Sequence, residues 1–223
     1  MSLLADIQKI TERTYQPTGV NLEKFIITRE RFLYLSQYDF TCGERSDSAR
    51  VFFRVHERRL YVGIYYSRDL IRALEKYDPR TGLSERNITA FCVFVEEINH
   101  AVHGALKFME GLPDFGQESF LQDLELQAKI DTYLLLKYFL AFFNQSKQLE
   151  AMDRLWLRHH LFEREELNYA SSALAERYYQ AVVLGEKYTR FLDGLPPAER
   201  LQEIRRFRRM PYHAKRTYIN CLP

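Results

Sequence analysis

The sequence predicts a mostly helical α+β protein, a β-hairpin or small antiparallel sheet packed on a bundle of four to five helices. Three observations carry that expectation. VFFRVHERRLYVGIYYS, from residue 51, alternates in the period-2 manner of paired strands. From Ser67 onward the apolar residues recur instead at the 3.6-residue period of helices. With 223 residues, 46% hydrophobic and 28% charged, the chain suits one globular domain rather than a disordered segment.

In the hairpin, one face carries Val51, Phe53, Val55, Leu60, Val62 and Ile64, and the other carries Phe52, Arg54, Tyr61 and Tyr65. Without an Asn-Gly pair, a four-residue loop at 56–59 is favoured over a tight type I′ turn. Residues 20–38 suggest a further strand followed by a short helix. A hairpin alone is marginal in water, so it must pack on another strand or on helices.

Ser67 is placed to cap a helix over 68–77 that stops at Asp78-Pro79. Ser84 begins a long helix to about 110, with Gly111 and Pro113 ending it, and another runs over 118–143. A polar–apolar stretch from 146 to 192 follows, with a break near 168–172. The GLPP at 194–197 is a breaker, and 198–209 form a last short helix before Pro211. The single domain thus reads as a β-containing part (1–66), a helical bundle (67–193) and a basic C-terminal helix and tail (198–223).

Composition narrows the setting. Cys42, Cys92 and Cys221 are odd in number and far apart, which argues against a disulfide scaffold or thiolate zinc site and for a reducing compartment. The N-terminus carries Asp6 and Lys9 where a signal peptide needs an apolar core. The most apolar run, 133–143, is too short to span a bilayer and contains Lys137. A cytoplasmic protein without a membrane span is expected. Fifteen Tyr and sixteen Phe supply either an aromatic core or interface anchors.

FVEEINHAVHG, from residue 94, poses the chemical question. On a helix, Phe91, Val95, Ile98, Val102, Ala105 and Met109 form one apolar stripe, while Glu96, His100, His103 and Lys107 lie opposite. The turn before them is apolar all round, so the polar row begins where the helix is covered. In the following helix Asp123, Gln127 and Asp131 recur every four residues. An antiparallel pairing of the two helices sets Glu96 level with Asp131 and His100 level with Gln127.

Three functions compete. The first is a cytoplasmic, non-catalytic interaction or accessory protein whose Glu/His/Asp seam fixes the register of two helices and whose partner is another protein. The second is a metal-dependent hydrolase, with a divalent zinc, iron or manganese held by Glu96, His100, His103 and Asp131 and supported by Asp123. Metal-free acid/base chemistry, with His100 tuned by Glu96 and nearby aspartates, is a separate alternative for the same row, and Glu96 and His100 are the candidate catalytic residues. The spacing is not His-Glu-x-x-His, and Glu97-x-x-His100 lacks the second copy that di-iron bundles need. The third is nucleic-acid binding through Arg205, Arg206, Arg208, Arg209, Lys215 and Arg216. His159-His160 with Glu163 reads as a charged helix face.

Overall fold

The structure is a computed structural model that describes residues 2–37, 41–42, 48–111, 115–163 and 172–223. Among these, nine α-helices and one antiparallel sheet of order β1-β2-β3 form the mostly helical α+β architecture that the two periodicities predict.

The sheet comprises β1 (Thr41–Cys42), β2 (Ala49–His56) and β3 (Arg59–Tyr66). Val51 pairs with Ile64, Phe53 with Val62 and Val55 with Leu60, so the apolar face is the one the alternation gives. The turn differs from expectation. It has two residues, Glu57 and Arg58, at φ of 48° and 59°. That is the left-handed pair a type I′ turn requires, adopted without the Asn-Gly that usually supplies it. The second face is only half wet. Arg54 and Tyr61 are exposed, but Phe52 and Tyr65 are buried beneath α2 (Arg29–Ser36), whose Phe32 ring stacks on Tyr65 at 4.1 Å. Before α2, residues 22–25 form a single 3₁₀ turn, and the strand expected there is reduced to one parallel bridge, Ile26 to Ile64.

Helix α3 (Arg68–Lys76) starts at Ser67, whose hydroxyl accepts from the Leu70 amide, and ends before Pro79. Helices α4 (Ile88–Met109) and α5 (Glu118–Phe143) are the long pair. The centre of the loop between them, and the break expected at 168–172 as far as residue 171, lie outside the described residues. Beyond α5 come α6 (Ala151–Arg158), which runs on as a π-turn over His159–Glu163, then α7 (Ser172–Gly194) and α8 (Pro197–Arg209).

Two helices were not expected. The N-terminal segment is α1 (Leu3–Thr14), N-capped by Ser2 and burying Leu4, Ile7 and Thr11. The tail after Pro211 is α9 (Tyr212–Asn220), burying Tyr212, Lys215 and Ile219.

Helix α4 is the centre of the molecule. Its stripe from Phe91 to Ala105 is buried as predicted, although Met109 is exposed. Sheet, α1, α3 and α5 surround it, so its polar side is buried too. The sheet approaches so closely at Gly104 that a Cβ there would overlap the Phe53 ring. A second apolar core, around Leu126, Tyr188 and Phe207, joins α5 to α7, α8 and α9. Among the described residues no helix is long and apolar enough to cross a membrane.

Candidate functional site

Helices α4 and α5 run antiparallel and their polar rows meet, but the pairing is offset from the one the loop position predicts. Asp131 contacts His103 rather than Glu96, and Glu96 pairs instead with Lys129 at 2.9 Å. His100 Nε2 lies 3.2 Å from Glu125, and Lys107 pairs with Asp123. The rows are also longer than two helices can satisfy, and other elements complete them.

Around His103, the chain leaving α1 brings Tyr15. Its hydroxyl donates to Asp131 Oδ1 at 2.5 Å, while His103 Nε2 faces Asp131 Oδ2. Gln127 donates to the Tyr15 oxygen at 2.9 Å and to Asp131 at 3.4 Å. The Tyr15 and His103 rings meet edge to face at 5.0 Å. Burial, aided by the Arg208 and Lys215 charges, holds the His103 imidazolium constant below its usual value despite Asp131. His103 is therefore a neutral donor to the carboxylate, and its Nδ1, fully buried, has no hydrogen-bond partner among the described residues. Burial and the Asp131 charge raise the Tyr15 hydroxyl well above the usual phenol range, which keeps it a donor. A cleft of 170 Å³ between α1 and α5 reaches this group through Thr11, Tyr15 and Asp131.

His100 is the opposite case. Burial opposes its charge, but Glu125 and Glu97 outweigh burial and raise its constant well above the ordinary value. Glu125, also bonded by the Tyr178 hydroxyl at 3.2 Å, is held below the usual carboxylate range despite burial. Burial raises Glu97, 3.7 Å from His100, so Glu125 is the working counter-ion. Two histidines one turn apart on one helix thus carry different charges.

The third node comes from α9. Lys215 is fully buried, 2.7 Å from Asp123 and 2.9 Å from Gln127 Oε1. Desolvation pulls the Lys215 ammonium down to about 8, while the two lysines hold Asp123 below its usual range despite burial. Two carboxylates went unread in the sequence: Glu125, the partner of His100, and Asp193. Asp193, beside the GLPP breaker, accepts from Tyr133 at 2.5 Å and from Arg158 at 2.9 Å and pairs with Lys137.

These pairings correct two expectations. Glu96, His100, His103 and Asp131 do not converge: they divide among three separate pairs. Among the described residues no three His, Cys, Asp or Glu side chains are arranged to hold a metal ion. The physical reason is charge. Lys107, Lys129 and Lys215 occupy the places beside the carboxylates that a cation would take. The basic tail is likewise not one surface. Arg208 and Lys215 are buried, Arg208 pairing with Glu110. Arg206 is paired with Glu203, and Arg205 donates to the Thr14 carbonyl at 2.6 Å, closing the end of α1. Arg209 and Arg216 are exposed. His159 and Glu163 form an exposed i,i+4 pair, whereas His160 is buried against Glu85.

The chain matches no protein-family model, no curated protein and no solved structure.

Proposed function

We propose that this is a cytoplasmic, non-catalytic interaction protein, in which the Glu/His/Asp seam holds the helices in register and a separate aromatic face meets a protein partner. One observation carries the reading. At the C-terminal end of α5, Tyr138 and Phe142 are each 55% exposed in a run of touching rings with Phe139 and Phe143. Large aromatic rings left in water are costly to the free protein and are the side chains that anchor protein interfaces. The seam supports the same reading, because its carboxylates are matched by charges of the fold itself: Asp123 by Lys107 and Lys215, Glu96 by Lys129 and Glu125 by His100. The scattered cysteines support a reducing compartment.

The test is quantitative affinity enrichment of the tagged full chain from cells, beside Tyr138→Asp/Phe142→Asp and His103→Ala chains. A defined complex that the aromatic variant loses and the His103 variant keeps is the expected result. Loss with His103→Ala alone, in a chain that still folds, would move the working site to the seam and sink the proposal.

A further inference from the structure

The aromatic face is one wall of a groove, and the groove has a sign. Helix α1 lies along α5, and between them is a cleft of 300 Å³ whose floor is Ile10, Tyr138, Phe139, Phe142 and Phe143. Its α1 rim is formed by Lys9 and Arg13, one helical turn apart and both exposed. Neither has an ion-pair partner among the described residues. Arg80 also lines the cleft but is already neutralised by a bidentate contact with Asp78, and Asp6 is the one acidic residue in the lining. Outside this lining the Lys147 ammonium sits 4.8 Å from the centre of the Phe142 ring and donates to the Phe142 carbonyl at 2.7 Å. Beyond α1 the Arg205 guanidinium continues the basic row.

Resting on the interaction reading above, we infer that this groove binds an acidic amphipathic peptide segment of another protein. Its apolar side chains lie on Tyr138 and Phe142, and its carboxylates meet Lys9 and Arg13. The charges select the sign of the partner: unpaired cations at an apolar cleft attract a segment with acidic residues beside its anchors and repel a basic one. The floor selects its class. Ile10, Phe139 and Phe143 offer hydrocarbon and no hydrogen-bonding side-chain group, which suits a leucine or phenylalanine side chain, while a nucleic-acid strand stacking its bases on the same rings is the competing outcome that the titration separates. Helix-in-groove recognition, with anchors spaced along one face of the peptide, has this form.

The experiment is selection from a displayed library of random 16-residue peptides against the full-length protein, followed by anisotropy titration of the best fluorescein-labelled sequence. The expected outcome is enrichment of sequences that combine Glu or Asp with Leu, Phe or Trp. Phe142→Asp and, separately, Lys9→Glu/Arg13→Glu are expected to weaken the selected peptide tenfold or more. These positions are exposed, so an unchanged melting temperature verifies the fold of each variant. Affinity should also fall as NaCl is raised from 50 to 300 mM. Enrichment without an acidic bias, peptides indifferent to both variants, or no enrichment at all would each overturn the inference. So would tighter, variant-sensitive binding of a 20-nucleotide single strand. The two readings fail separately: a cellular complex that survives Lys9→Glu/Arg13→Glu but not the aromatic variant keeps the interaction protein and discards the acidic partner, whereas loss with His103→Ala alone sinks both.

Discussion

His103 and Asp131 face each other across the two central helices, imidazole to carboxylate, with Tyr15 bonded to the carboxylate's other oxygen where the cleft between α1 and α5 ends. One carboxylate thus joins α4, α5 and the chain leaving α1. It does so as an acceptor from three neutral donors, His103, Tyr15 and, at 3.4 Å, Gln127, so the node needs no second charge. Its removal is the sharper injury. Asp131→Ala strands His103 and Tyr15 and takes one acceptor from Gln127, and is expected to cost about 2–5 kcal/mol, from about 1–3 kcal/mol for each buried donor left unsatisfied. His103→Ala leaves Tyr15 and Gln127 on the carboxylate and should cost less. Urea denaturation of the two variants gives the order. A larger loss for His103→Ala would show that the carboxylate is not the centre of the node.

The two histidines of α4 predict opposite protonation at neutral pH. NMR of the ring nitrogens should find His100 as imidazolium and His103 as neutral imidazole at pH 7.5. The stability consequences differ in sign. His100 is raised, so its contribution is complete below the unfolded value of 6.5 and fades as pH rises through its folded constant. Glu125 is lowered, so its contribution is present above 4.5 and fades as pH falls through its folded constant. His103 is lowered, so nothing is lost above 6.5, and a cost grows as pH falls below it. These three groups together make stability decline on both sides of neutrality, while Lys215, lowered to about 8, works the other way above that value. A neutral His100 at pH 7.5 would refute the ion pair with Glu125.

Much of this was legible from residue spacing. The four-residue recurrence of Asp123, Gln127 and Asp131, opposite Glu96, His100 and His103, announces two facing polar rows whatever the crossing geometry. The partners were not legible, because a modest offset between the helices reassigns every pair. More important, the rows are completed from a distance in sequence, by Tyr15 and Lys215. Tyr212, Lys215 and Ile219 do fall on one helical face, a sign that Lys215 belongs inside with its neighbours rather than to a basic tail. In the same way Leu4, Ile7 and Thr11 mark the buried face of α1. Charge alone reads Arg208 and Lys215 as surface, because only tertiary contact supplies Glu110 and Asp123.

Asp123 is held by two ammonium groups, Lys107 and Lys215, in a pocket with almost no solvent. One cation suffices to balance one carboxylate, so the pair should behave as mutual insurance. Lys107→Met leaves Lys215 in place, and Lys215→Met leaves Lys107, although the latter also strips Gln127 of its donor. Each single change should be tolerated. The double variant leaves a bare buried carboxylate, and its loss should exceed the sum of the singles by about 1–3 kcal/mol. A double-mutant cycle by urea denaturation measures that excess, and strict additivity would mean that one lysine does not touch Asp123.

The β2–β3 turn predicts a gain. Glu57 and Arg58 both occupy the left-handed region, which costs a residue with a Cβ roughly 1–2 kcal/mol where no side-chain bond relieves it. The register on either side, His56 opposite Arg59 and Val55 opposite Leu60, leaves no slack for another turn type. Replacing the pair by Glu57→Asn/Arg58→Gly installs residues that accept those angles. Since neither side chain is buried, little else changes. The expected gain is about 1–2 kcal/mol, or about 2–8 °C in Tm for a chain of this size. Calorimetry of the wild type and the double variant decides it. An unchanged or lower Tm would mean that the loop is longer than two residues, and that the strand register described for Val51 to Ile64 does not extend to the turn.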